Sequence, residues 1–150
     1  MRKVEDSIQI NAPVDLVWQV TLDVVNWPTW TPTVTRADRL DDGPFGLGSQ
    51  TRLEQPGLPP AVWTVTAVEP YRRFAWRASV RGMHMTGIHQ MEPRGDHATM
   101  SVLTLQMEGW FGQLLWPWIA SRIGASLQQE NAGLKRHCEH LRAESPRPLH

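Results

Sequence analysis

Apolar and polar positions alternate over residues 4–10, with Val4, Ile8 and Ile10 on the same side as Asp6, and Glu5, Ser7 and Gln9 on the other. A period of two is the sign of a half-buried strand. Asn11-Ala12-Pro13 ends it: Asn11 can cap a helix, and Pro13 suits a first helical turn, where a missing N–H loses no partner. Val14, Val17, Trp18 and Leu22 follow at helical spacing, and a second short helix or turn is predicted over 24–30, stopped by Pro28 and Pro32. The two pieces make a helical elbow.

Residues 33–108 read as an antiparallel meander. Strands are predicted over 34–40, 49–55, 61–69, 73–80, 84–92 and 98–108. Between them lie turn signals: Asp41-Asp42-Gly43-Pro44, the rigid Pro56-Gly57-Leu58-Pro59-Pro60, Pro70, Arg81-Gly82 and Pro93-Arg94-Gly95-Asp96. Strands joined by turns rather than helices pair antiparallel. Alternation also assigns faces. Phe74, Trp76, Ala78 and Val80 should point inward, as should Leu103, Leu105 and Met107. On 61–69 the better inward set is Trp63, Val65 and Ala67. On 84–92 it is Met85, Gly87, His89 and Met91, leaving His84, Gln90 and Glu92 toward water.

The remainder is helical. Proline is tolerated in a first turn, so the main helix is expected to start near 116–118, after a separate turn over 110–115. Ala120, Ile123, Leu127, Asn131, Leu134, Cys138 and Leu141 step by three or four into one apolar stripe. Residues 117–142 would span about 39 Å. The tail from about residue 143, with two prolines, is expected to be flexible. The pattern predicts a single α+β domain over residues 1–150: a curved antiparallel β-sheet of about seven strands around a long C-terminal helix, with two short helices after strand 1. The apolar sheet face must be buried, and only that helix is long enough to cover it. Space that side chains leave unfilled between them becomes a cavity.

Composition narrows the function classes. Fifteen basic and fifteen acidic side chains cancel, so no global field favours nucleic acid or an anionic membrane. The longest apolar stretch, 110–119, contains Gln113 and Pro117 and falls well short of the ~20 residues of an integral membrane segment. The N-terminus has no signal-peptide pattern, and Cys138 is the only cysteine, so a cytoplasmic protein without disulfides is expected. Eight tryptophans stand against three phenylalanines and one tyrosine. An indole joins a large apolar surface to one N–H, which suits half-wet pockets as well as cores.

His89 is the most informative polar residue, since an imidazole on an inward face can bind a ligand group or transfer a proton; a core histidine bonded to a neighbour is the alternative. Cys138 sits on the buried stripe, where a thiol is an inert small hydrophobe. His137 and His140 lie off that stripe and lack further ligands, and His84 and His89 face opposite ways, so no metal site is expected. No nucleotide-binding or zinc motif occurs, and no cofactor is expected. Arg72, Arg73 and Arg77 suit a solvated face.

The order of elements resembles the helix-grip superfamily (SRPBCC, START-like), which includes START lipid-transfer domains, the pollen-allergen and hormone-receptor group, and bacterial polyketide cyclase/dehydrase-like proteins. The last group is resembled by Ile10-Asn11-Ala12-Pro13 with Val17-Trp18, by Asn26-Trp27-Pro28-Thr29-Trp30, and by Gly46-Leu47-Gly48-Ser49. Trp63-Thr64-Val65, Glu69-Pro70 with Arg73-Phe74, and Gly87-Ile88-His89 continue in order, so the likeness covers about residues 3–142. It implies a helix-grip fold that binds an unidentified hydrophobic small molecule, lipid- or polyketide-like, between sheet and helix. A small cyclase or dehydratase using the same cavity is the alternative, with His89 as acid/base and Thr51 or Gln55 orienting a carbonyl. Trp27, Trp30, Trp63 and Trp76 are candidate walls, with Met85, Met91, Leu103, Leu105 and Leu127. Trp27 and Trp30 resemble the border of the cavity mouth, and Trp110, Phe111 and Trp116 are candidates for the opposite lip. A monomer or weak homodimer is expected, with no nucleic-acid partner.

Overall fold

The computed structural model describes residues 2–144. β1 (Arg2–Ile10) leads into α1 (Val14–Leu22) and a 3-10 helix (Val24–Thr29). Then come β2 (Arg36–Arg39), β3 (Gln50–Glu54), β4 (Ala61–Glu69) and β5 (Arg73–Val80). β6 (Met83–Arg94), β7 (Ala98–Glu108) and the long α2 (Trp110–Glu144) complete the order. The seven strands form one curved antiparallel sheet in the order β1-β7-β6-β5-β4-β3-β2. β2 to β7 are therefore a meander, and β1 returns to pair with β7 from Arg2↔Met107 to Ile10↔Thr99. This is a helix-grip arrangement, a curved sheet folded around one long helix. The expected flexible tail lies largely outside the described residues.

Local chemistry explains the tightest turn. Val80 pairs with Met83, and the two residues between them, Arg81 and Gly82, have φ of 49° and 76°. Two positive φ values make the hairpin turn whose twist matches its strands, and glycine takes the second position without strain. The inward alternation holds on β5 and β6: Phe74, Trp76 and Ala78 are buried, as are Gly87, His89 and Met91. On β4 it fails after Val65. A bulge between Val65 and Ala67 shifts the register, so Ala67 faces Ala75 and Val68 faces Phe74. Val68, not Ala67, then packs against the core. One extra residue flips every later side chain to the other face.

The helix differs most from expectation. α2 runs unbroken through Pro117 over 35 residues, about 52 Å, rather than starting at 116–118. Pro117 lies on the exposed side, where a lost backbone bond costs least. Asn131, on the expected apolar stripe, is wholly buried and acts as a clamp. Ser101 Oγ on β7 donates to its Oδ1 at 2.8 Å, and its Nδ2 donates to the Asp6 carbonyl at 3.1 Å and the Asp6 carboxylate at 2.8 Å on β1. Nearer the C-terminus, Arg142 donates to the carbonyls of Asn11 and His97. The helix is thus pinned across the β1–β7 pair, which fixes how far it stands from the rest of the sheet.

Candidate functional site

A cavity of about 430 Å³ lies between the sheet and α2. The sheet supplies Trp63 from β4, Trp76 from β5, Met85 and His89 from β6, and Leu103 and Leu105 from β7. The helix supplies Ile119, Ile123, Leu127 and Glu130, and Trp27 of the 3-10 helix closes one side. The β3–β4 loop forms the rim with Gln55, Pro56, Leu58 and Pro59, facing Arg122 of the helix. That loop lies so close that a Cβ on Gly57 would stand 2.6 Å from an Arg122 guanidinium nitrogen.

Gly87 makes room for the indole wall. A Cβ there would lie 2.9 Å from Trp76 Nε1, so only a bare backbone lets that ring lie flat against β6. Trp76 in turn stacks obliquely on Trp63, with centroids 5.5 Å apart, and meets Trp27 edge-on at 5.3 Å. Trp27 is oriented by its own N–H, which donates to the Thr21 carbonyl at 3.0 Å.

His89 sits inside this aromatic nest. Its ring stacks on Phe74 at 4.6 Å with an interplanar angle of 5°, and Trp27 covers it at 5.2 Å. No protein group among the described residues hydrogen-bonds either ring nitrogen. Burial lowers its pKa from 6.5 to about 3, so the imidazole is neutral and offers one N–H and one lone pair. Glu130 lies on the helix side of the same cavity, with no ion pair or hydrogen bond among the described residues. It is half-buried as a residue, yet its carboxyl is enclosed enough for burial to raise its pKa from 4.5 to about 7. A helical stripe traced through apolar residues omits it, although Ile123, Leu127, Glu130 and Leu134 share one helical spacing. A charged residue within an inward stripe was the available signal.

Trp30, Thr51 and Met91 stand behind the wall. Trp30 packs on Trp27 at 5.9 Å and stacks on His137 at 6.5 Å. Thr51 is fully buried beside its cross-strand neighbour Trp63, and both Thr51 Oγ1 and Trp63 Nε1 are enclosed without a partner. Met91 is packed into the core. Trp110, Phe111 and Trp116 do not reach the cavity, whose helical wall begins at Ile119. Cys138 is buried, with burial the first cause of a pKa pushed up to about 12, so it has no thiolate to offer near neutral pH. Arg73 pairs with Glu69 on the outer face. Among the described residues no cluster of three metal-ligating side chains occurs, and no helix is long and apolar enough to cross a membrane.

Residues 1–139 match the family model described as polyketide cyclase / dehydrase and lipid transport. The chain belongs to this family. Solved structures agree in fold. The di-domain ARO/CYC protein BexL of the BE-7585A biosynthetic pathway is 23% identical, with a TM-score of 0.75 over 97% of this chain. This chain spans 48% of BexL. The Zhui aromatase/cyclase from a Streptomyces species is 23% identical, with a TM-score of 0.69 over 93% of this chain and 94% of its own. A START superfamily protein from Mycobacterium smegmatis is 18% identical, with a TM-score of 0.78 over 93% and 98%. No curated protein matches the chain in sequence.

Proposed function

We propose that this family member binds a hydrophobic small molecule, lipid- or polyketide-like, between the sheet and α2. The observation that carries the reading is the cavity itself. Its volume of about 430 Å³ is that of small-molecule sites, which run from about 300 to 1,000 Å³. Indole, thioether and aliphatic groups make most of its surface. His89 and Glu130, both without a protein partner among the described residues, are polar groups in the cavity lining of the kind that orient a ligand. They fit a molecule with an apolar body and one or two carbonyl or hydroxyl oxygens. Native mass spectrometry of freshly purified protein, with extraction of what it retains, tests this directly. A co-purifying lipophile, or tryptophan quenching by a lipophile panel, supports binding; the absence of both rejects it.

A second reading, a cyclase or dehydratase, is favoured by the presence of both groups, otherwise unpartnered among the described residues, in the lining of one cavity. Near neutral pH a carboxyl with a pKa of about 7 can give a proton to a ligand carbonyl. His89, held neutral with a pKa of about 3, orients that carbonyl through its N–H, and the carboxylate that Glu130 leaves behind takes the proton from the neighbouring carbon. Confinement of a flexible poly-ketone would supply the remaining rate enhancement. The test is turnover of a poly-ketone mimic by His89→Gln and Glu130→Gln. An enzyme loses at least about a hundredfold in rate with binding retained; equal turnover in all three proteins removes this reading and leaves the first.

A further inference from the structure

The solvent face of the first three turns of α2 is apolar where a surface helix is ordinarily polar. Trp110, Leu114 and Trp118 are 73%, 65% and 71% exposed. They are four residues apart, so the side chains run in one line. Pro117 and Ser121 complete that exposed side, and no charged residue occurs from 109 to 121. The opposite side of the same turns is firmly seated: a Cβ on Gly112 would lie 2.7 Å from the Met107 sulfur, and Phe111 rests near Gly82. The indoles are therefore held outward by a packed helix.

Charge around the stripe is positive. Arg81 precedes Gly82, which lies against the Trp110 indole. Arg2 Nε donates to Gln113 Oε1 at 3.0 Å, and Arg122 follows one turn after Trp118. None of the three arginines has an ion pair among the described residues. Glu108, just before the helix, is the one acidic residue close in sequence to the stripe. Two outward indoles within a rim of unpaired guanidinium groups match an anionic bilayer surface, where tryptophan rings lie at headgroup depth and arginines meet phosphates. A second copy fits less well, because a twofold contact would set the same basic rim against itself.

We propose that this stripe is a peripheral docking surface for an anionic membrane. It adjoins the cavity mouth. Ile119, Arg122 and Ile123 of the next turn line the cavity, and across the opening Leu58, 53% exposed, sits on the loop that meets Arg122. Docking there would open the cavity toward the bilayer, yet docking itself does not require an occupied cavity.

The experiment is co-sedimentation with vesicles of phosphatidylcholine containing phosphatidylglycerol, beside vesicles of phosphatidylcholine alone. The expected result is preferential binding to the anionic vesicles that fades as salt rises. Trp110→Ser with Trp118→Ser should weaken it about tenfold or more, and Arg81→Gln about fivefold. Circular dichroism checks that the exposed changes leave the fold intact. Quenching of the parent's tryptophans by brominated lipids gives a readout that needs no variant. Failure of the parent to bind anionic vesicles overturns the proposal, as does equal binding by the double variant. A concentration-dependent dimer, dissolved by the same two substitutions, would assign the stripe to a second copy and overturn it too.

Discussion

Desolvation acts on His89 and Glu130 for one reason and with opposite outcomes, because each is pushed toward its uncharged form. His89 has a folded pKa of about 3 against 6.5. Its contribution to stability is complete above pH 6.5 and is lost as pH falls toward 3, since the unfolded chain takes the proton first. Glu130 has a folded pKa of about 7 against 4.5. Its contribution is complete below pH 4.5 and is lost as pH rises toward 7, since the folded chain holds the proton longer. Between 4.5 and 6.5 the two slopes oppose each other. Urea unfolding at stepped pH should show that Glu130→Gln removes a decline between 4.5 and 7, while His89→Gln removes part of the decline below 6.5. A parent-like slope in Glu130→Gln would mean that the carboxyl is solvated. Alternation made His89 legible in sequence because it depends only on a two-residue period. Glu130 was obscured because an apolar stripe is traced through its apolar members, and a carboxylate at the right angle drops out of the tracing.

Elements were legible where a short-range rule governs them. The hairpin turn at Arg81-Gly82 and the long α2 follow from local chemistry, yet two element features did not. The β4 bulge inserts one residue among Val65, Thr66 and Ala67, and nothing in that run of small and branched residues marks it. The proline rule is local and predicts a helix start at Pro117, whereas α2 runs through it, seated at Gly112 before it and at Leu127 after it. Tertiary contacts also gave Asn131 a different role from the one its spacing suggested. Removing it leaves the buried Ser101 Oγ and the half-buried Asp6 carboxylate without that partner. Asn131→Ala should therefore cost about 2–4 kcal/mol, lowering Tm by roughly 5–15 °C in a chain of this size. Thermal unfolding measures it, and Ser101→Ala should cost less, because Asn131 then keeps its bonds to Asp6. An equal cost for the two variants would place the strength of the clamp in Ser101 alone.

At the scale of the whole molecule, one sheet and one long helix meet along the β1–β7 pair and part toward β4, and the cavity occupies the divergence. Alternation and the helical stripe predicted which faces meet. The volume left between them was beyond sequence, because it depends on contacts such as the Trp76 indole lying over Gly87. A cavity with apolar walls forgoes contacts that a filled core would have, so a ligand that enters adds what packing lacks. Binding to the folded state alone contributes RT ln(1 + [L]/Kd), about 2.7 kcal/mol at a hundredfold excess over Kd, which corresponds to roughly 5–10 °C in Tm here. Protein stripped of retained lipophile by organic extraction and refolded should melt lower than protein as purified, and readdition of the extract should restore the difference. Gly87→Val separates ligand from scaffold: its side chain drives the Trp76 ring into the space a ligand would use. That variant should show the same Tm before and after extraction, and any rise on readdition would mean that the stabilising molecule sits outside this cavity.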